Sequence, residues 1–265
     1  MRLVDRYAGF VFDLDGTVYL DDVLLPGAAG ALAEVRELGT PHVFLTNKPL
    51  ERSTFYAGLL GRLGIPTADN QVVSSLDALV LYLGASEPDA RILCVSEPLV
   101  IEVLREAGLE VVPHTEAQSA DVVVVSFDRT FDYEKLHAAY KAVNAGARII
   151  ATNPDRFCPS ADGGLPDCAA MLAAVEACTG VKAEAIVGKP SRHMAAAVLD
   201  RLGLPAERVL VVGDRLATDI AMAAAAGMAS ALVLSGDSQV DDLAGSEIKP
   251  GFLLDTIGGL LDEGN

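Results

Sequence analysis

Short runs of Val, Ile, Leu and Phe that stay apolar at every position alternate with longer segments whose apolar residues recur every three or four positions. The first pattern fits strands buried on both faces, the second amphipathic helices. Strands are predicted at 9–13, 42–46, 91–95, 121–126, 149–152, 185–188 and 209–213. Helices are predicted at 28–37, 51–63, 99–107, 133–145, 169–178, 193–202 and 217–226. Gly39, Gly64, Gly108, Gly146, Gly180, Gly203 and Gly227 follow these helices closely, as glycines that stop helices do. Such alternation predicts an α/β fold, a Rossmann-like, doubly wound parallel sheet. No repeat of fixed period and no disordered linker interrupts it.

Four of the apolar runs end in chemistry: FVFDLDGT at 10–17, HVFLTNKP at 42–49, AIVGKP at 185–190 and VLVVGD at 209–214. Open parallel sheets bind ligands beyond the carboxyl ends of their strands. The fold therefore predicts one spot where Asp13, Asp15, Thr46, Asn47, Lys189 and Asp214 converge. Asp13 and Asp15 alone would also fit an acidic turn or a calcium loop. A calcium loop, however, puts its glycine sixth and follows a helix, whereas Gly16 is fourth and follows a strand.

An ionised carboxylate can attack phosphorus and form an acyl phosphate, and phosphoryl transfer then needs alignment and charge stabilisation. Mg²⁺ suits such a site, since it takes one or two carboxylates and fills its octahedron with water and phosphate oxygens. Asp13 and Asp214 are the candidate carboxylates. Lys189 is placed to hold the non-bridging oxygens, and the Thr46 hydroxyl with backbone amides at Asn47 and Gly16 to bind the rest. Asp15 is the candidate proton carrier between leaving group and water.

With these residues in place the chain resembles the haloacid dehalogenase (HAD) superfamily. DLDGT at 13–17, TN at 46–47, GKP at 188–190 and GDRLATD at 213–219 stand in that family's order. The resemblance implies a phosphatase with Asp13 as nucleophile and Asp15 as acid and base. It also implies Mg²⁺ held by Asp13, the Asp15 carbonyl and Asp214, with Asp219 supporting the metal. Dehalogenases have no leaving alkoxide to protonate and lack the second acid, so Asp15 favours phosphatase chemistry.

From Thr17 to Thr46 there is room for a flap and one helix, whereas Thr46 to Lys189 is far longer than one strand–helix unit. A smaller α/β cap is therefore expected at 81–182, inserted into a core made of 1–80 and 183–265. This is the type IIA arrangement of the NagD-like and p-nitrophenyl phosphatase-like group. NAGARIIATNPD at 144–155 and ALVLSG at 231–236 resemble that group as well. Many of its members carry a Pro-Gly-x-Gly loop where this chain reads GGLPDCAA at 163–170. Asn153, Asp155, Asp167 and Cys168 are accordingly expected to face a cleft and select the leaving group.

Composition narrows the partners. A net charge of −17 over 265 residues excludes nucleic-acid backbones and anionic membranes, and points to a small phosphorylated metabolite bound through a local cation. The longest apolar stretch, near 221–234, is too short and too interrupted to span a membrane. Cys94, Cys158, Cys168 and Cys178 form no CxxC pair and read as buried free thiols of a cytoplasmic protein. The four histidines share no spacing and read as structural or exposed. A phosphotransferase using an alcohol acceptor stays open at this level, as does a homo-oligomer. A phosphate sensor modified on Asp13 is the non-enzymatic alternative, disfavoured by Asp15 and the cap.

Overall fold

The computed structural model describes residues 1–158 and 164–263. The chain divides into two compact units. One comprises Met1–Thr46, Ser53–Val73 and Lys189–Asn265; the other comprises Asn47–Arg52 and Ser74–Gly188.

The first unit is built on a six-stranded sheet. Its order is Phe252–Leu254, Ala229–Val233, Val209–Gly213, Gly9–Asp13, His42–Thr46 and Val72–Ser74. Gly9–Asp13 is central and pairs in parallel with Val209–Gly213 on one side and His42–Thr46 on the other. All five residues of Gly9–Asp13 and of Val209–Gly213 are buried, which is why these strands read as continuous apolar runs. Strand order reverses around Gly9–Asp13, the place where such sheets open a ligand crevice. Phe12 lies opposite Val212 and Phe44, so Asp13, Thr46 and Asp214 leave the sheet at nearly one level.

Phe10, Phe12 and Phe44 fill the core of this unit, with ring centroids 5.6 Å and 6.0 Å apart along the series. Ala28–Glu37 buries Ala28, Ala31, Leu32 and Val35, an i, i+3, i+4, i+7 face. Arg192–Leu202 begins where Ser191 Oγ accepts from the Met194 N–H at 3.2 Å, and it ends at Gly203, whose φ of 64° is left-handed.

The second unit carries a five-stranded sheet, ordered Ala185–Ile186, Arg148–Ala151, Val122–Val125, Arg91–Val95 and Glu110–Val111, with every pair parallel. Ala138, Ala139, Ala142 and Val143 of Tyr133–Asn144 pack in its core with Leu93, Val123 and Ile149. This unit is wider than the 81–182 expected. It takes in the helix Ser75–Ser86, and Ala185–Ile186 belongs to it because that strand pairs with Ile150 and Ala151. The helix opens with a capping box: Asp77 accepts from the Ser74 N–H at 2.7 Å, and Ser74 Oγ accepts from the Asp77 N–H at 3.3 Å.

Several expectations are corrected. The helix at 217–226 is a π-helical turn, Leu216–Ile220, running into a short α-helix, Ala221–Ala226. Cys178 is exposed, whereas Cys94, Cys158 and Cys168 are buried; all four are free thiols. Among the described residues, no helix is long and apolar enough to cross a membrane.

Candidate active site

Asp13 is the last residue of its strand, and the chain then folds tightly back on itself. The Leu14 carbonyl accepts from the amides of Thr17, Val18 and Tyr19, and the Gly16 N–H donates to the Tyr19 carbonyl at 2.8 Å. Asp15 sits half-buried in this loop. Gly16 holds a φ of 88° and approaches Asp214 so closely that a Cβ there would lie 2.5 Å from Asp214 Oδ2. Thr17 Oγ1 reaches Asp13 Oδ2 at 3.5 Å, and Ser235 Oγ donates to the Gly16 carbonyl at 2.8 Å.

Asp13, Asp214 and Asp219 each present a carboxylate oxygen within 4.8 Å of the others, all three buried. Lys189 Nζ donates to Asp13 Oδ1 and, at 2.7 Å, to Asp219 Oδ1. Burial alone would lower the Lys189 pKa, but the facing charges of Asp13 and Asp219 outweigh it and hold the ammonium protonated. Burial is also the main force raising the Asp214 pKa, reinforced by the charges on Asp13 and Asp219. Burial likewise raises Asp219, opposed first by Lys189. Asp219 Oδ2 accepts from the Arg215 N–H at 3.1 Å, a contact the π-helical turn makes, and Gly213 leaves the room for its carboxylate.

Asp214 carries the test for a metal. Its Oδ2 accepts from the Asp237 N–H at 2.7 Å, but Oδ1 is buried with no hydrogen-bond partner. Gly16 and Gly236 wall this carboxylate, and a Cβ on either would overlap it. Three buried carboxylates face one ammonium, which leaves negative charge uncompensated. A hard divalent cation with oxygen ligands fits this donor set and supplies the missing partner for Asp214 Oδ1.

The structure thus brings together Asp13, Gly16, Lys189, Asp214 and Asp219. Thr46 is buried at the end of the neighbouring strand. Asn47 belongs to the second unit, where its Nδ2 donates to Asp155 Oδ2 at 2.9 Å. Asn153 and Asp167 are buried in that same unit, and Asp167 Oδ1 caps Cys168–Thr179 by accepting from the Cys168 N–H. Cys168 does not face a cleft. It is fully buried against Met171, Leu172 and Val175, its Sγ donates to the Val125 carbonyl at 3.4 Å, and burial pushes its thiol up to about 12. Asp162 and Gly163 of the glycine-rich stretch lie outside the described residues. Sequence reasoning missed Gly236 and Asp237, although ALVLSGD at 231–237 is a fifth apolar run ending in a polar turn.

Known proteins resemble this chain over most of its length. Residues 10–110 match the family described as haloacid dehalogenase-like hydrolase, and residues 186–260 match one described as HAD-hydrolase-like. Sugar-phosphatase AraL of Bacillus subtilis is 37% identical over 251 residues, covering 94% of this chain and 90% of AraL. Ribonucleotide monophosphatase NagD of Escherichia coli K12 is 33% identical, covering 93% of this chain and 95% of NagD. The crystal structure of a 4-nitrophenylphosphatase from Thermotoga maritima superimposes with a TM-score of 0.90 at 35% identity, covering 98% of each chain. This chain belongs to the haloacid dehalogenase-like hydrolases, in their NagD-like and p-nitrophenylphosphatase-like group. It is a phosphatase.

Proposed function

We propose that the chain is a Mg²⁺-dependent phosphomonoesterase that hydrolyses a small phosphorylated metabolite, a sugar phosphate or a nucleoside monophosphate, through a phosphoryl group carried on Asp13. The observation that supports this most is the unpartnered, buried Asp214 Oδ1 in a cluster with Asp13, Asp219 and Lys189. The names of AraL and NagD support the substrate class.

The substrate phosphorus lies beyond Asp13, with Lys189 and the Thr46 hydroxyl donating to its non-bridging oxygens. An Asp13 carboxylate oxygen bonds to phosphorus as the ester P–O bond breaks, and Asp15 gives its proton to the departing oxygen. Asp15 then takes a proton from water, whose oxygen bonds to phosphorus as the bond to Asp13 breaks, releasing phosphate and free Asp13. Asp13, Asp214 and the Asp15 carbonyl are the groups to hold Mg²⁺, which supplies neutralising charge to the phosphoryl oxygens when bound. Lys189 supplies fixed positive charge without reorganisation, because Asp219 already holds it.

The core residues address only phosphate, metal and bridging oxygen, so leaving-group selection is assigned to the second unit. Free thiols and the absence of a CxxC pair support a cytoplasmic setting. The test is phosphate release from a panel of sugar phosphates, nucleoside monophosphates and p-nitrophenyl phosphate, with Mg²⁺ and with chelator. Turnover that needs Mg²⁺ and favours small esters is expected. No turnover of any ester with Mg²⁺ would refute the proposal.

A further inference from the structure

Thr46 is peptide-bonded to Asn47 and Lys189 to Gly188, and both of these neighbours belong to the second unit. There they are built into one polar network. The Asn47 carbonyl accepts from Ser75 Oγ at 2.7 Å and from Asn153 Nδ2 at 3.1 Å. The Asn47 amide donates to Asp155 Oδ2 at 2.9 Å, and the Asp155 N–H donates back to Asn153 Oδ1 at 2.9 Å. Asn153 Nδ2 also reaches Asp167 Oδ1 at 3.4 Å.

Gly188 closes the other side. Its N–H donates to the Thr152 carbonyl at 2.8 Å. A Cβ on Gly188 would overlap the Thr152 carbonyl and come within 2.6 Å of Asn47 Oδ1 and 3.3 Å of Asn153 Cβ. The residue before Lys189 therefore packs directly on the residue after Thr46, and only glycine fits.

Asn153 decides what the network does. It is fully buried, and its amide donates to Asn47 and Asp167 while its oxygen accepts from Asp155. Those bonds engage both amide hydrogens and the carbonyl, leaving little capacity to read a leaving group. A satisfied buried network of this kind fixes a single geometry.

We infer that Asn153 and Asp155 are positioning residues for phosphoryl transfer: acting through Asn47 and Gly188, they set the backbone from which Thr46 and Lys189 project. The inference rests on the proposed function, and it replaces the leaving-group role expected for these two residues from sequence. Misplacing a catalytic group by about 1 Å costs on the order of 10²-fold in rate.

The test uses the full chain at saturating Mg²⁺, comparing kcat and KM for p-nitrophenyl phosphate and three sugar or nucleoside phosphates. Asn153→Ala and Asp155→Ala are each expected to lower kcat by about 10-fold to 100-fold, by a similar factor for every ester, with the rank order of KM kept. Asp155→Asn keeps an oxygen that can accept from Asn47 and should retain most activity. Coupling separates positioning from general weakening. Combined with Thr46→Val, Asn153→Ala should cost less than the sum of the two single losses, because part of its effect runs through Thr46.

Circular dichroism checks folding, and if Asn153→Ala fails to fold, the half-buried Asp155 carries the comparison. A re-ordered KM series with kcat unchanged would make these residues leaving-group contacts and overturn the inference. Additive losses with Thr46→Val, or Asp155→Asn as impaired as Asp155→Ala, would overturn it too. An inactive wild type overturns the phosphatase proposal and this inference with it. An active wild type with any of the contrary patterns overturns this inference alone.

Discussion

Lys189 Nζ lies 2.7 Å from Asp219 Oδ1 while it also donates to Asp13, so one buried ammonium ties the end of the central strand to the π-helical turn Leu216–Ile220. Both Asp219 oxygens are engaged by the protein, one by Lys189 and one by the Arg215 N–H. Asp219 holds the lysine and stands in the same buried cluster, with Asp13 and Asp214, that could hold a metal ion.

Asp219→Ala removes one of the two carboxylates on the buried Lys189 ammonium together with an acceptor of the Arg215 N–H, and hydrogen bonds to charged groups contribute about 1.5–3 kcal/mol each. Asp219→Ala should therefore lower stability in urea unfolding and lower kcat. Asp219→Asn keeps an acceptor for Lys189 and should be milder in both. Wild-type stability in Asp219→Ala would contradict the pairing.

Lys189→Ala and Asp214→Ala should each lose on the order of 10²-fold or more in rate, the cost of one preorganised charge stabiliser. Their responses to metal should differ. Raising Mg²⁺ should partly restore Asp214→Ala, which has lost a ligand, and leave Lys189→Ala unchanged. Superimposable Mg²⁺ titrations would contradict the division of roles.

Asp15→Asn should slow alkyl esters far more than p-nitrophenyl phosphate, because a proton donor matters most when the departing oxygen is basic. Equal losses for the two ester types, measured as kcat, would remove Asp15 as the acid.

Gly236→Ala tests the wall around Asp214. Its Cβ would overlap Asp214 Oδ2 and come within 2.5 Å of Cγ. The carboxylate would have to move, and the Mg²⁺ concentration for half-maximal rate should rise about 10-fold or more, as losses of supporting contacts at metal sites do. An unchanged Mg²⁺ titration in a folded variant would show that Asp214 does not bind the metal in this pose.

The strands at 9–13, 42–46, 91–95 and 209–213 were legible to the residue, because each is built on a run of at least three consecutive apolar residues that is fully buried. Ala229–Val233 begins with alanine and serine and Phe252–Leu254 has three residues, so neither gives a strong strand signal. The helix Ser75–Ser86 is apolar nearly all round, even where Leu81 is exposed, and so lacks a helical period. The SSLD capping box at its start was the readable cue.

At the site, each strand end could be read because its chemistry is local. The pairing of Lys189 with Asp219 and that of Asn47 with Asp155 join distant parts of the chain, and only the folded sheets set them. Asn153, Asp155 and Asp167 looked like cleft residues because asparagine and aspartate favour exposed turns. Here Asn153 and Asp167 are buried and Asp155 is half-buried, with Asn153 hydrogen-bonded to both.

The most direct measurement is phosphate release from p-nitrophenyl phosphate by wild type and Asp13→Asn, side by side with saturating Mg²⁺. Wild type should turn over steadily and lose activity to chelator. Asp13→Asn, folded by circular dichroism, should show no steady-state hydrolysis, because an amide is a poor nucleophile and a neutral ligand. Hydrolysis by Asp13→Asn near the wild-type rate would contradict phosphoryl transfer through Asp13.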